Sequence, residues 1–385
     1  MKDQKIGIVT WFNYPNPGTA FQAYALQQYI CSIPQCQAEI INMLGNSIKD
    51  SFKAPINRPY ARQYGPFYKF VRVLLGIKSY MYCSFQRKHI VKWPARTLRP
   101  IDYSSVNDRY DQIILGSDQL WNLDIKKRIE FDKTGHFIFS AGEKSHGVIP
   151  KNCFLDFVKG PRKGAYGPST GNDVWPEELR GQIKELLSEF SFIGVREKQA
   201  VSMVQSLVNV PVHWSLDPTF LLNKEKWEEI ARKPKISEGY IFEYCIIKSP
   251  LLRAVTEKLS EMTGLPIIES HGDLRKHVST AKRMPHPSAD TWLGYLMNAK
   301  YVVTDSFHGC AFSINTNKDF YTVTTINETR IYSLLELFGL QHRMIKKVEE
   351  INLSKTINWS VVNIRLEDRR KESQDWLKLS LMESE

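Results

Sequence analysis

Ile6-Gly7-Ile8-Val9-Thr10, then Asn13-Tyr14-Pro15-Asn16-Pro17-Gly18, then residues 20–30: this opening stretch decides the fold class. The first five residues form an apolar β run and the next six are rich in turn formers. Ala23, Leu26, Gln27 and Ile30 then return at helical spacing. A buried strand feeding a glycine-containing loop and a helix is the first unit of an open α/β sheet. Its loop lies at the carboxyl edge of the sheet, where ligands bind.

The pattern recurs downstream. Residues 112–115 predict a strand that runs into Gly116-Ser117-Asp118-Gln119-Leu120-Trp121-Asn122, and residues 137–139 and 164–167 read as further short strands. From Trp175 it restarts. A helix is predicted over 176–190, with Leu179, Ile183, Leu186, Leu187 and Phe190 on one face. A strand at 192–195 and a helix at 198–207 follow. Strands at 240–247, 266–268, 301–304 and 320–323 alternate with helices at 251–263, 289–298 and 310–315. Regular β/α alternation predicts parallel sheets. The expected organisation is an α/β chain of two domains, 1–174 and 175–365, and a C-terminal helix, 366–385, that packs back on the first.

The 385 residues are 42% hydrophobic and 12% aromatic, which excludes a disordered chain and suits two cores. Formal net charge is +11, from 52 Lys+Arg against 41 Asp+Glu. The whole excess lies in residues 51–101, where Lys53, Arg58, Arg62, Lys69, Arg72, Lys78, Arg87, Lys88, Lys92, Arg96 and Arg99 meet no acidic residue. The remainder is charge-balanced, so a general nucleic-acid-binding coat is not expected. The six cysteines form no CxxC or Cys/His ligand cluster, which predicts free thiols and no metal. Residues 1–5 run straight into the first strand without a leader pattern, and no apolar run is long enough to span a bilayer. A cytoplasmic protein is the expectation.

Asp305-Ser306-Phe307-His308-Gly309 is the sharpest chemical feature, because it follows a strand and starts a helix of small residues. An imidazole placed there faces a cleft beside backbone N–H groups that suit an anion. The competing reading is a buried histidine satisfied by a carbonyl. Arg196, at the end of the 192–195 strand, offers a planar fork to a carboxylate or phosphate. Its competing reading is a structural ion pair. Asn13, Gly18 and Thr19 suit a sugar or phosphate, and Asp118 and Gln119 a sugar; capping of the following helix competes at Asn13 and Asp118. Asp217-Pro218 reads as a turn. The chain has no GxxxxGK[ST], GxGxxG or HExxH pattern.

Six pieces, in order, make the chain resemble the polysaccharide pyruvyl transferases. They are Asn13-Tyr14 through Thr19-Ala20-Phe21-Gln22-Ala23-Tyr24-Ala25-Leu26-Gln27; Leu115-Gly116-Ser117-Asp118-Gln119-Leu120-Trp121-Asn122; Val195-Arg196-Glu197; Leu216-Asp217-Pro218-Thr219; Val303 through Gly309; and Thr329-Arg330-Ile331 with the segment up to Leu340. The resemblance implies a GT-B-like pair of Rossmann-like domains facing across a cleft. The first would be the acceptor side, with a helical insertion at about 51–101, and the second the donor side.

It also implies transfer of the enolpyruvyl group of phosphoenolpyruvate onto a hydroxyl pair of a saccharide, forming a ketal and releasing phosphate. No cofactor and no nucleic acid are expected. His308 and Arg196 are the expected catalytic pair, with Ser306, Gly309, Arg330 and Lys163 at the donor and Asn13, Gly18, Thr19, Asp118 and Gln119 at the acceptor. The chain departs from the family where Pro15-Asn16-Pro17 lengthens the first loop, and where Ser306 replaces an arginine found in some members. Charge recognition then falls on Arg196, Arg330 and Lys163.

A lipid-linked precursor of capsule or exopolysaccharide as acceptor would give residues 51–101, basic and aromatic, a peripheral role on an anionic cytoplasmic leaflet. Two other functions suit parts of the same sequence. One is a nucleotide-sugar glycosyltransferase of GT-B type, since fold does not fix chemistry. The other is a non-enzymatic protein binding an anionic polymer through the basic window.

Overall fold

A computed structural model describes residues 3–12, 16–42, 77, 80–90, 105–123, 129–131, 137–139, 149, 151–171, 174–236, 238–246, 249–271, 276–284, 288–323 and 328–383. Asn13 and most of the basic window lie outside these residues. The chain divides into two compact units, Met1–Leu221 with Ser373–Glu385, and Leu222–Glu372.

In the first unit, strand β1 (Gln4–Val9) leads to helix α1 (Pro17–Ser32) and strand β2 (Cys36–Ile40). Asn16 caps α1 by accepting from Thr19 N at 3.2 Å, and Pro17 occupies the first turn, where its missing N–H is not needed. A short helix α2 (Ser84–His89) sets Phe85 edge-on to Phe21 of α1. Then come β3 (Gln112–Leu115), β4 (Ile129–Phe131), β5 (Phe137–Phe139), β6 (Arg162–Tyr166), α3 (Glu177–Leu187), β7 (Phe190–Val195), α4 (Lys198–Gln205) and β8 (Val212–Trp214).

Six of these strands form one sheet in the order β2-β1-β3-β6-β7-β8, every pair parallel. The strand expected at 137–139 does not join it. It pairs antiparallel with β4 in a separate ribbon. β3 is buried along its whole length, as a strand covered on both faces must be.

The second unit begins with α5 (Lys224–Ile230) and continues through β9 (Ile241–Tyr244), α6 (Pro250–Thr263), β10 (Ile267–Ser270) and β11 (Lys282–Arg283). It ends with α7 (Ala289–Asn298), β12 (Tyr301–Thr304), α8 (Phe307–Asn315), β13 (Asp319–Thr322) and α9 (Glu328–Phe338). Its sheet runs β11-β10-β9-β12-β13, again all parallel. Ser249 caps α6 and Gly264 closes it in the left-handed conformation, φ +69°. The final helix, α10 (Trp359–Met382), starts in this unit, and its residues from Ser373 onward belong to the first.

The division falls at Leu221/Leu222 and not at 174/175. The pattern that restarts at Trp175 continues the first sheet, because β7 pairs with β6 and β8 with β7. The end of α10 packs in the first unit. Trp376 stacks on His213 at 4.6 Å and meets Phe192 edge-on, and Tyr29 donates to the Gln374 carbonyl at 2.7 Å.

Candidate active site

Each sheet has a point where the strand order reverses. In the first unit the chain leaves β1 for β2 and returns to β3 on the other side. In the second it leaves β9 for β10 and β11 and returns to β12. Loops diverge there at the carboxyl ends of the strands, which leaves a crevice. The described residues of the sequence motifs fall at both points: 16–19 and 116–119 in the first unit, 305–309 in the second.

In the first unit Thr10 donates to the Ser117 carbonyl at 2.8 Å, tying the two strand ends together. Gln22, on α1, donates to the Trp11 and Thr19 carbonyls at 2.7 and 3.0 Å. Asp118 accepts from Thr19 Oγ1 at 2.8 Å and takes a φ of +80°, a left-handed conformation that Asp tolerates better than most residues. Thr19, Asp118 and Gln119 are therefore brought together, and Gly18 sits in the same helical turn as Thr19. Asp118 is buried, so its carboxylate orders the loop.

Arg196 is placed differently from expectation. It belongs to the first unit, whereas His308 belongs to the second. Its side chain is 1% exposed, with Nη1 2.7 Å from Asp217 Oδ2 and Nε 3.2 Å from Glu197 Oε1. Nη1 also reaches Ser117 Oγ at 3.2 Å, and that hydroxyl donates to the Gly167 carbonyl at 2.7 Å. Burial alone disfavours the guanidinium charge. Glu197, Asp217 and Asp118 outweigh it and hold the pKa above the ordinary arginine value. The fork expected for the donor is thus turned onto protein carboxylates. Asp217, read from sequence as a turn residue, is the hub: it also accepts from Thr219 N and Oγ1 at 3.0 and 2.8 Å.

Lys163 is likewise set apart from the crevice. It lies near the amino end of β6, at the opposite edge from the loops, and its buried ammonium pairs with Glu189. That bond holds the Glu189 carboxyl below its usual range.

In the second unit Ser306 caps α8 by accepting from Gly309 N at 3.4 Å, and its own N–H donates to Thr304 Oγ1 at 3.0 Å. Thr304 Oγ1 in turn donates to the Tyr244 carbonyl at 2.7 Å. Asp305 accepts from Ile246 N at 2.7 Å, closing the reversal point between β9 and β12. His308 therefore stands in the first turn of a capped helix, where the helix dipole favours negative charge. It is 8% exposed, edge-on to Phe307 at 5.4 Å.

Gly309 is required by close approach. A Cβ there would lie 2.4 Å from Thr304 Oγ1 and 2.8 Å from its Cγ2. Arg330 is buried near the start of α9, the helix that packs on α8. Of the expected donor residues, the second unit holds Ser306, His308, Gly309 and Arg330, all on the α8–α9 pair or its cap.

Two parallel-sheet α/β units, each with motif-bearing loops at its order reversal, define a doubly wound protein of Rossmann type. The polysaccharide pyruvyl transferase family matches residues 16–327, most of the chain, so this protein belongs to that family. No functionally curated sequence matches it significantly. Among solved structures it is similar to S. aureus MnaA bound to UDP (10% identity, 96% of this chain and 90% of that one, TM-score 0.47). A UDP-GlcNAc 2-epimerase from Neisseria meningitidis gives 8% identity over 100% of both chains and a TM-score of 0.47. E. coli heptosyltransferase WaaC with ADP gives 10% identity over 95% and 99%, at 0.42. The fold assignment rests on the strand orders above. Among the described residues no helix is long and apolar enough to cross a membrane.

Proposed function

We propose that this family member transfers the enolpyruvyl group of phosphoenolpyruvate to two hydroxyls of one saccharide, forming a pyruvate ketal. The observation that carries the reading is His308 in the first turn of the Ser306-capped helix α8, at the order reversal of the second sheet. An anionic enol phosphate needs what that place offers: a helix start that favours its charge and an imidazole whose ordinary pKa of about 6.5 suits proton transfer at neutral pH.

His308 delivers a proton to the methylene carbon, and one sugar hydroxyl adds to the adjacent carbon. Phosphate departs, and the second hydroxyl closes the ring. Of the two hydroxyl protons, one balances that delivered to the new methyl group and the other leaves with phosphate. Arg330 is assigned to the donor's charge because its helix packs on α8, which carries His308, whereas Arg196 and Lys163 belong to the first unit. The acceptor is assigned to the first-unit loops bearing Gly18, Thr19, Asp118 and Gln119.

A lipid-linked acceptor, with residues 51–101 against the inner leaflet, completes the proposal. Flotation with anionic vesicles tests that part, and its failure would remove it alone.

The decisive experiment incubates the protein with phosphoenolpyruvate and a panel of galactose- and mannose-type acceptors. Phosphate release and product mass are followed in wild type and His308→Ala. Wild type should add the mass of pyruvic acid less one water, with one phosphate released per adduct, and the variant should not. Sugar transfer from a nucleotide sugar, with no adduct from phosphoenolpyruvate, would replace the proposal with a glycosyltransferase.

A further inference from the structure

Side chains alternate along β9, so Glu243 shares a face with Ile241 and with Cys245 just beyond the strand. That face is the core under α6, where Ile241 and Cys245 pack with Leu252, Val255 and Leu259. A carboxylate in such a place must be compensated. Glu243 is fully buried, and its Oε1 lies 2.7 Å from Nδ1 of His277, itself 7% exposed.

The other imidazole nitrogen settles where the protons are. His277 Nε2 is 3.1 Å from the backbone carbonyl of Ser249, which can only accept, so Nε2 carries a proton. In the neutral ring Nδ1 is then a lone pair facing a carboxylate oxygen at 2.7 Å. Two acceptors at that separation need a cation between them, either a proton or a metal ion. A proton satisfies Oε1 only. Glu243 Oε2 is buried without a hydrogen-bond partner among the described residues. Cys245 completes the set: one ligand atom each from Glu243, Cys245 and His277 all lie within 4.8 Å of one another.

We propose that Glu243, Cys245 and His277 form a divalent transition-metal site, best suited to Zn2+. Thiolate, imidazole and carboxylate are the donors zinc takes. A histidine ligand normally donates its second N–H to a carbonyl or carboxylate, as His277 does to Ser249. Glu269 supplies the next layer. It is the in-register neighbour of Glu243, and its Oε2 accepts from the backbone N–H of His277 and Val278 at 2.9 and 3.2 Å, which fixes the loop carrying the histidine.

Two donors about 2.0–2.1 Å from a tetrahedral ion stand roughly 3.3 Å apart, so the Nδ1–Oε1 pair must open by about half an ångström. The ion displaces the proton between them and the thiol proton of Cys245. The site stands on residues outside the α8–α9 pair and does not depend on the pyruvyl-transfer reading.

The test uses the full chain, purified reduced, stripped with a chelator, and titrated with Co2+ and then Zn2+. The expected result is one Co2+ per chain with a thiolate-to-cobalt charge-transfer band, displaced by Zn2+. Cys245→Ser should lose the band and His277→Gln should bind at least tenfold more weakly, while Cys31→Ser, which removes the exposed thiol, keeps both. Zn2+ should raise the melting temperature of wild type and not of Cys245→Ser. X-ray absorption of the zinc-loaded wild type requires no variant to fold, and should show one sulfur at about 2.3 Å. A first shell without sulfur, a thiolate band that survives in Cys245→Ser, or no metal retained by wild type would each overturn the proposal and leave the Glu243–His277 pair bridged by a proton.

Discussion

Removing the carboxylate of Asp217 separates a structural Arg196 from a donor-binding one. In Asp217→Ala the guanidinium keeps Glu197 but loses its 2.7 Å partner, at a place where both side chains are essentially unexposed. Stripping one member from a buried ion pair costs about 3–5 kcal/mol, because the other charge stays buried. Thr219 also loses the acceptor for its N–H and hydroxyl. A net cost of about 4 kcal/mol is therefore expected, confined at first to the strand ends the network joins: Ser117 after β3, Arg196 after β7 and Asp217 after β8.

Because a chain of two units need not unfold in one step, the assay is amide hydrogen exchange read by peptide, with α6 as internal reference. At about 1.4 kcal/mol per tenfold, protection of β7 and β8 should fall by roughly three decades while α6 is unchanged. Arg196→Met leaves the Asp217 and Glu197 carboxylates buried together without their cation and should cost at least as much, although Asp217 keeps its Thr219 bonds. If Asp217→Ala leaves β7 and β8 within about threefold of wild-type protection, the network is not what holds these strand ends. If Arg196→Met folds with wild-type protection but abolishes phosphate release from phosphoenolpyruvate, Arg196 is a donor ligand after all.

Further outcomes follow from the same geometry. His308→Gln should reduce turnover by about 10²–10⁴ with an unchanged circular dichroism spectrum, as loss of a general acid does; a smaller loss would argue against proton delivery by His308. Gly309→Ala should lower stability by about 1–3 kcal/mol in urea titration through overpacking against Thr304, and Thr304→Ser, which deletes Cγ2 but keeps the closer Oγ1, should recover only the smaller part of it. Only Cys31 should react with a thiol reagent near pH 8, since it is exposed while the other five thiols are buried; burial pushes Cys83 and Cys310 up to about 12, and rapid labelling of a second thiol would contradict the packing. The depressed carboxyl of Glu189 contributes stability that is present above the ordinary carboxylate pKa and is lost as pH falls through its lower folded value. Half exposed, it is worth at most about 1 kcal/mol, so Glu189→Gln should flatten the acid limb of a pH–stability curve only slightly.

The sequence by itself determined the strands and the motifs that follow them. β1, β3 and β12 are runs of apolar residues, continuous enough to require burial, and each ends in small polar residues that can only be a loop or a helix cap. The placing of His308 in the first turn of a helix was legible for that reason: Ser306 before it and Gly309 after it specify a capped helix start against a strand. β2 was missed although Cys36, Ala38 and Ile40 alternate inward, because five residues give too short a period to stand out.

What the tertiary structure decided is where charges end. A guanidinium at the end of β7 reads alike whether it meets a substrate or a carboxylate. The choice was made by β8, which joins the same sheet and brings Asp217 beside Arg196, and this pairing also moved the boundary between units to Leu221/Leu222. Glu243, Cys245 and His277 form no local pattern either, since the histidine arrives 32 positions after the cysteine, in the loop beyond β10. Periodicity is a property of neighbours along the chain, and so it fixes which faces are buried. The fate of a buried charge depends on the strand that lands beside it, and only the folded sheet order supplies that.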